Sequence, residues 1–335
     1  MQLRVLSIII PTYKRLTALT ETYNSLTAAI TNIDAEIIIV NNDPDYDLND
    51  LRNHLGTNEP PTLLLNNRSN SAASARNLGA GAAKGQMLLF MDDDVIINNK
   101  NIARILEIHN IFDNILLSPT WEYTQEIENI LESSPYGRFR LKYDYPATVP
   151  RGTTGRNLDG RKDLFSEETL SSFCLSMRNE IYQDLNGMDE NFPFAGCEDQ
   201  EFTMRAKKKG YRLILDESNV VYHNESHRLD PDIWLKRQYS GVQGFVYLCL
   251  KFPERRKSPL WTENIPMQND DPLRLRLKKV AKSFMRNQQM TILFNHLIRF
   301  CEWIHIPEPL LFRLYLIQAG IYLNKGFAKS YKECM

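Results

Sequence analysis

Short apolar runs alternate with amphipathic segments along the first two thirds of the chain. The apolar runs predict buried strands, and apolar residues spaced three or four apart predict helices between them. Strands are expected at residues 5–10, 35–40, 62–65, 87–91, 115–118, 172–177, 211–215 and 220–223. Helices are expected at residues 16–30, 48–55, 71–84, 101–110, 179–185 and 198–208. Because strands and helices alternate, the pattern predicts an α/β fold with a mainly parallel sheet flanked by helices.

The pattern changes near residue 230, where helical periodicity takes over. Helices are expected at residues 233–250, 273–284, 290–304 and 310–323. We therefore predict two domains, residues 1–230 and an α-helical C-terminal region, residues 231–335. Inside the first domain, residues 136–164 lack periodicity and are expected to form a long functional loop. This segment holds three arginines, Arg151, Arg156 and Arg161.

Composition narrows the class of protein. The formal net charge of −1 gives no general attraction to nucleic acid, so no nucleic-acid partner is expected. The five cysteines have no C-x-x-C spacing, which predicts neither a disulfide framework nor a zinc site. The first residues lead directly into a strand and do not resemble a signal peptide. These features predict a globular protein of the reducing cytoplasm.

Three carboxylates, Asp92, Asp93 and Asp94, follow the wholly apolar run Met87–Met91. Ligands of open α/β sheets bind at the carboxyl ends of the strands. Three adjacent carboxylates repel one another unless a cation joins them, and oxygen ligands suit Mg²⁺ or Mn²⁺, which commonly share a substrate phosphate. The run therefore predicts a metal-assisted site for a nucleoside diphosphate.

Polar motifs recur in a fixed order after predicted strands and at the start of a helix. They are Pro11-Thr12-Tyr13, Asn41-Asn42-Asp43, Ala75-Arg76-Asn77-Leu78-Gly79, Asp92-Asp93-Asp94, Gly187-Met188-Asp189-Glu190, Glu198-Asp199 and His223. Over residues 5–228 this series closely resembles the family 2 glycosyltransferases, the inverting nucleotide-sugar enzymes of the GT-A fold. The resemblance implies a GT-A domain that transfers a sugar from a nucleoside-diphosphate donor with the help of Mn²⁺ or Mg²⁺.

The resemblance also implies roles for individual residues. Asp94 would bind the cation, with Asp92 and His223 as further metal ligands and His227 as a competitor of His223. A uridine donor is favoured, while GDP and dTDP sugars stay open because Asn41 and Asn42 stand where the family usually has an aspartate. The donor-binding residues would be Pro11, Thr12, Tyr13, Arg15, Asn41, Asn42, Arg76, Asp92 and Asp93.

The acceptor half of the site is expected at Glu198 and Asp199. An acceptor hydroxyl is a poor nucleophile until a base removes its proton, and Asp199 is the candidate general base. Glu198 would orient Asp199 or hold the acceptor, and Asp189 would contact a saccharide or lipid-linked acceptor. The alternative is that Glu198 and Asp199 only complement the dipole of their helix.

Two other functions are alternatives to glycosyl transfer. A non-catalytic nucleotide-sugar binding module would not need Asp94 and Asp199. A sugar-phosphate nucleotidyltransferase would need a glycine-rich loop after the first strand, and residues 11–15 contain no glycine.

A basic amphipathic helix is predicted in the C-terminal region. Basic residues alternate there with apolar ones. Elsewhere in the chain, Trp121 and Trp234 are expected to lie in the core rather than to stack on a sugar. Helices of this kind lie on anionic membranes, so peripheral contact with the inner face of the cell membrane is one interpretation. The other is a helical bundle with a solvated basic face or a homo-oligomer interface. The basic residues are Arg274, Arg276, Lys278, Lys279, Lys282 and Arg286.

Overall fold

The computed structural model describes residues 6–43, 45–56, 60–69, 71–143, 156–192, 196–226 and 229–335. Its strands are β1 Leu6–Thr12, β2 Ala35–Asn41, β3 Thr62–Asn66, β4 Met87–Met91, β5 Val95–Ile96, β6 Ile115–Tyr123, β7 Arg156–Asn157, β8 Leu164–Ser166, β9 Cys174–Arg178 and β10 Arg212–His223. Its helices are α1 Leu16–Ala29, α2 Leu48–Leu55, α3 Ala72–Ala82, α4 Asn99–Ile111, α5 Gln125–Glu132, α6 Pro135–Tyr143, α7 Asn179–Asp184, α8 Glu198–Lys208, α9 Pro231–Lys251, α10 Pro259–Thr262, α11 Leu273–Met285, α12 Gln288–Trp303 and α13 Glu308–Cys334. Short 3₁₀ turns lie at Leu158–Gly160 and Pro253–Lys257.

The chain divides into two compact units. The first contains Met1–Ile127, Tyr145–Asn191 and Glu198–Ser226. The second contains Glu128–Asp144, Phe192–Cys197 and His227–Met335. The proposed domain boundary at residue 230 stays a prediction, and two short segments from the N-terminal part of the chain belong to the second unit.

One sheet organises the first unit. Its strand order is β3-β2-β1-β4-β9-β6-β10-β8-β7, and β5 pairs with β10. Strands β3, β2, β1 and β4 are parallel, and β6 is parallel to β10. Strand β9 runs antiparallel between β4 and β6. The mainly parallel α/β sheet is confirmed, and the carboxyl ends of β1, β2 and β4 lie on the same edge.

Helices cover both faces of this sheet. On one face, α1, α2 and α4 pack on alternate residues of β1, β2 and β4, such as Ile8, Ile37 and Leu89. On the other face, α3, α7 and α8 pack on the intervening residues, such as Ile9 and Leu88. Strands buried on both faces read as continuous apolar runs, which explains why the sequence pattern identified them.

The prediction of one long loop over residues 136–164 is wrong at its start. Residues Pro135–Tyr143 form helix α6, which buries Tyr136 and Phe139 in the second unit. Gly137 permits this packing, since a Cβ there would lie 1.9 Å from the carbonyl oxygen of Leu131. The polar and charged residues of this nine-residue helix hid its periodicity. Residues 144–155, which include Arg151, lie outside the described residues.

Two other elements differ from the expectation. Two short strands were expected at residues 211–215 and 220–223, but β10 is continuous from Arg212 to His223. Its register with β6 is irregular between Asp216 and Val220. Helix α13 extends to Cys334. In the part of the chain that the structure describes, no helix is long and apolar enough to cross a membrane.

The second unit is helical. Trp234 of α9 lies in a core with Tyr136, Phe139 and Tyr315. Its exposed fraction is 7%, and the Arg140 guanidinium lies 5.6 Å from the centre of its ring. The expectation that Trp234 belongs to a core is therefore confirmed.

Candidate active site

The end of β1 and the turn after β4 are joined by side chains. The Thr12 hydroxyl donates to Asp93 Oδ2 at 2.7 Å. Arg15 donates to Asp94 Oδ2 at 2.7 Å and also pairs with Asp93. Because parallel strands place their carboxyl ends together, residues 79 and 81 positions apart in the chain meet here. Three predicted donor-binding residues and the predicted metal ligand Asp94 thus share one cluster.

Asp93, like Asp94 in this cluster, has no exposed surface. Burial raises the pKa of Asp93 to about 7, with the Arg15 guanidinium acting in the opposite direction. Its carboxylate already contacts Thr12 and Arg15. A ribose would reach Asp93 only if one of these side chains moved, so its predicted nucleotide contact stays a prediction.

His223 lies beside Asp94. Strand β5 pairs with the end of β10, which sets His223 opposite Val95. The distance from His223 Nε2 to Asp94 Oδ2 is 3.4 Å. His223 is 6% exposed, and among the described residues neither of its ring nitrogens has a hydrogen-bond partner. A buried imidazole without a hydrogen bond is uncommon. The ring nitrogens of His223 are therefore available to bind a ligand.

The side chains present fit part of a metal site. Asp94 and His223 offer a carboxylate oxygen and an imidazole nitrogen, a donor set that Mn²⁺ accepts. Within the described ranges, no group of three or more carboxylate, imidazole or thiol side chains is arranged to hold an ion. The carboxylate of Asp92 instead pairs with Arg76. Mg²⁺ and Mn²⁺ sites usually take further ligands from water and substrate phosphates, so the pair fits an ion that binds with a diphosphate. The predicted third ligand, Asp92, stays a prediction.

Arg76 links the donor side of the site to helix α8. It is 4% exposed and lies on α3. Its Nη2 donates to Asp92 Oδ1 at 2.7 Å, and its Nη1 donates to Glu198 Oε1 at 3.3 Å. Burial opposes the charge of the guanidinium, but Asp92 and Glu198 outweigh it and raise the pKa of Arg76. The predicted donor and acceptor residues are therefore parts of one charged network.

Asp199 is held by backbone amides at the start of α8. Its Oδ2 accepts from the Ser172 amide at 3.2 Å, and its Oδ1 accepts from the Gln200 amide at 2.7 Å. A carboxylate has lone pairs for further hydrogen bonds. Asp199 is half-buried, whereas Glu198 is 5% exposed and contacts Arg76. Of the two acids, Asp199 is the one that a hydroxyl could approach.

The predicted base-binding residues after β2 are engaged in the fold. The Asn41 amide nitrogen donates to the Asp43 carbonyl at 2.8 Å and to Asn66 Oδ1 at 3.0 Å. The Asn42 side-chain oxygen accepts from Asn67 Nδ2 at 2.8 Å. These bonds tie the ends of β2 and β3 together. Contact of Asn41 and Asn42 with a nucleobase stays a prediction.

Asp43 was not among the predicted binding residues, although it lies in the same region. It borders a cavity of about 40 Å³ together with Thr12, Arg15 and Asn41. The Lys14 ammonium lies 3.8 Å from its carboxylate. The sequence held a signal for it, because the resembled family places an acid after the second strand. Nearby, Tyr13 is 40% exposed and can stack on a flat ring, while Pro11 is buried opposite Val40.

Asn77 clamps the predicted acceptor turn onto α3. Its amide nitrogen donates to the Met188 carbonyl at 2.9 Å and to Glu190 Oε1 at 2.7 Å. Its side-chain oxygen accepts from the Met188 amide at 2.8 Å. Asp189 accepts from Asn191 at 2.7 Å within the same turn. Asn77 was missed as a site residue, although the Ala-Arg-Asn segment pointed to it, and the acceptor role of Asp189 stays a prediction.

Aromatic rings surround His223. The ring of Phe173 lies 4.8 Å from it and the ring of Trp121 lies 5.1 Å from it, both edge-on. Trp121 is half-buried within this cluster. His227, the predicted competitor of His223, lies outside the described residues.

The chain is similar in sequence to known proteins. Residues 7–179, just over half of the chain, match the family model described as glycosyl transferase family 2. The chain belongs to glycosyl transferase family 2. It is 33% identical over 104 residues to an uncharacterized glycosyltransferase of Haemophilus influenzae, a match that covers 31% of this chain and 34% of that protein. The match thus spans about a third of the length of this relative.

Solved structures show the same fold. The mannosyltransferase PcManGT from Pyrobaculum calidifontis, in complex with GDP-Man and Mn²⁺, superposes with a TM-score of 0.60 at 14% identity. That likeness covers 100% of this chain and 89% of the other. GalNAc-T7, with UDP, GalNAc and Mn²⁺, gives a TM-score of 0.55 at 14% identity over 87% of this chain and 57% of that one. The predicted GT-A fold of this family 2 member is confirmed.

Proposed function

We propose that this family 2 member is a metal-dependent, inverting glycosyltransferase that uses a nucleoside-diphosphate sugar. The observation that carries the proposal is the network in which Arg76 joins Asp92 at 2.7 Å and Glu198 at 3.3 Å. Through it, Asp92 after β4 and Glu198 at the start of α8 belong to one hydrogen-bonded network, which supports a single site for both. Such a site has the two halves that glycosyl transfer needs, one for the leaving diphosphate and one for the acceptor.

The donor half would bind the diphosphate near Asp94, His223 and Arg15. A divalent cation held there by Asp94 and His223 would supply Lewis-acid stabilisation of the negative charge on the departing diphosphate. Arg15 is a fixed positive charge beside the same carboxylates and keeps them oriented. The two similar solved structures, each with Mn²⁺, support this part of the proposal.

The nucleobase would lie near the end of β2. We propose that Asp43 accepts a hydrogen bond from an N–H of the base and that Tyr13 stacks on it. Uracil, thymine and guanine all offer such an N–H group. A uridine donor is favoured, and GDP and dTDP sugars are the alternatives.

The acceptor half would work through Asp199. Asp199 would take the proton of the acceptor hydroxyl as that oxygen attacks the anomeric carbon from the face opposite the diphosphate, which inverts the configuration. Positioned acid–base groups typically contribute about 10²–10⁴ in rate. Asp189 and the turn clamped by Asn77 would hold the acceptor, which we propose to be a saccharide or lipid-linked hydroxyl.

A thermal-shift screen tests the donor half. UDP-, GDP- and dTDP-sugars are added with and without Mn²⁺, and one of them is expected to raise Tm only when the metal is present. A ligand at 100 times its Kd stabilises the native state by about 2.7 kcal/mol. Asp94→Asn should abolish the metal-dependent part of the shift, and Asp34→Asn, an exposed carboxylate in the same unit, should preserve it. If no nucleotide sugar shifts Tm under any of these conditions, the proposed function is wrong.

A further inference from the structure

Helix α11 presents an exposed apolar stripe. Leu273, Leu277, Val280 and Phe284 follow one another at steps of four, three and four residues, so they share one helix face. Their exposed fractions are 73%, 63%, 55% and 60%. Soluble monomers rarely leave large contiguous apolar patches in water. We therefore expect another apolar surface to cover this stripe.

Helix α12 repeats the arrangement. Leu293, Leu297, Phe300 and Ile304 have the same spacing, and their exposed fractions are 61%, 45%, 54% and 46%. Trp303 beside them is 73% exposed. Two consecutive helices thus carry stripes of large apolar side chains, with an aromatic residue of the type that favours the membrane interface.

The charges of α11 are sorted around its stripe. On the less exposed side, Lys279 pairs with Asp271 at 2.7 Å, and Lys282 pairs with Glu263 at 3.0 Å. Arg274 and Arg286 are exposed, and α11 itself contains no acidic residue. Arg274, next to Leu273, borders the apolar face, whereas Arg286 lies on the side of Lys279 and Lys282. A cation at the border of an apolar face is complementary to anionic lipid headgroups, whose attraction is worth roughly 1 kcal/mol for each Lys or Arg.

A hollow adjoins the same stripe. It has a volume of about 830 Å³ and is bordered by Val280 and Phe284 of α11 and by Ile265, Met267 and Tyr331. Its walls combine these side chains with charged ones, among them Glu263, Lys279 and Lys332. We propose that the faces of α11 and α12 defined by these two stripes dock on an anionic lipid bilayer.

Vesicle flotation with the full chain tests this docking. The protein is expected to float with vesicles of equal parts phosphatidylcholine and phosphatidylglycerol, and to stay at the bottom with phosphatidylcholine alone. The triple variant Leu273→Gln, Leu277→Gln, Phe284→Gln should bind more than about tenfold less, since each buried methylene contributes roughly a factor of four. Ile111→Gln, which removes a 45% exposed side chain from the first unit, should float like the wild type.

A charge variant separates headgroup attraction from apolar contact. Arg274→Gln should weaken binding by roughly fivefold. Arg52→Gln with Lys100→Gln, which removes two exposed cations from the first unit, should change little. Both comparisons are independent of donor binding, so they can fail without affecting the proposed function.

Three results would overturn the docking proposal. The wild type could fail to float with the anionic vesicles, or the triple glutamine variant could float as well as the wild type. The third is a lipid-free dimer, seen by light scattering, that the triple variant converts to monomers, because the occupant would then be a second copy of this chain.

Discussion

Replacing Gly79 by alanine should destabilise the first unit, although alanine is the better helix former. Gly79 lies inside α3, and a Cβ there would stand 2.5 Å from Ile9 Cγ2 and 3.2 Å from Val40 Cγ2. Both neighbours are buried in the sheet. The Ile9 Cγ2 atom cannot move away easily, because it is bonded to Cβ and therefore lies close to the backbone. Helix α3 must therefore move away from β1 and β2.

The expected size of the effect follows from two opposed terms. Overpacking a core costs typically about 1–3 kcal/mol. Alanine in place of glycine in a helix interior contributes roughly 0.8–1.0 kcal/mol in the other direction. Gly79→Ala should thus lower the free energy of unfolding by up to about 2 kcal/mol. At roughly 2–4 °C for each kcal/mol in a unit of 150–250 residues, Tm falls by up to several degrees.

Gly81 supplies a matched control in the same helix. It is exposed, and nothing lies within 4 Å of a Cβ built there. Gly81→Ala should therefore raise Tm, with a gain of up to about 1 kcal/mol. Thermal unfolding followed by circular dichroism measures both variants. If both raise Tm, or both lower it equally, the packing of α3 that places Arg76 in the site is not as described.

Two further predictions concern stability and the acceptor turn. Burial, with a contribution from Arg178, lowers the pKa of His109 to about 3. As the pH falls, the unfolded chain therefore binds the His109 proton before the folded chain does. The contribution of neutral His109 to the free energy of unfolding is fully present above about pH 6.5 and is lost as the pH falls from there to 3. His109 contributes a loss of about 2 kcal/mol between pH 7 and pH 5, while the raised pKa of Asp93 acts in the opposite direction. In urea unfolding, His109→Gln should therefore gain about 2 kcal/mol relative to the wild type as the pH falls from 7 to 5; a difference that is the same at both pH values contradicts the assignment. Asn77→Ala should cost roughly 1–3 kcal/mol by breaking the bonds to Met188 and Glu190, whereas the exposed Asn110→Ala should stay within about 0.5 kcal/mol, and equal urea midpoints would refute the clamp.

The sheet was predictable because its strands are buried on both faces. Runs such as Met87–Met91 are apolar throughout, and the observed strand has the same bounds as the predicted one. Helix α8 was likewise predicted from Glu198 to Lys208. Helix α6 was not, because its buried face is formed by Tyr136, Phe139 and the charged Arg140. Burial of a charged residue depends on tertiary partners that a local pattern does not contain.

The position of the candidate residues at one edge of the sheet was predictable, but their contacts were not, and their roles stay predictions. The order of motifs identified the family and the strand ends that carry polar groups. It did not reveal that Arg15 joins Asp93 and Asp94. Nor did it reveal that the Asn41 side chain is used within its own turn. These pairings depend on distances across the sheet edge, which are fixed only when the chain is folded.

The base assignment of Asp199 is the central claim, and donor hydrolysis tests it without a known acceptor. Water can replace the acceptor hydroxyl, and its proton must also be removed as it attacks. In the presence of Mn²⁺ and the donor identified by thermal shift, Asp199→Asn is expected to keep the donor Kd within about twofold while the hydrolysis rate falls by about 10²–10⁴. Hydrolysis by Asp199→Asn at the wild-type rate, with donor binding intact, would contradict the account.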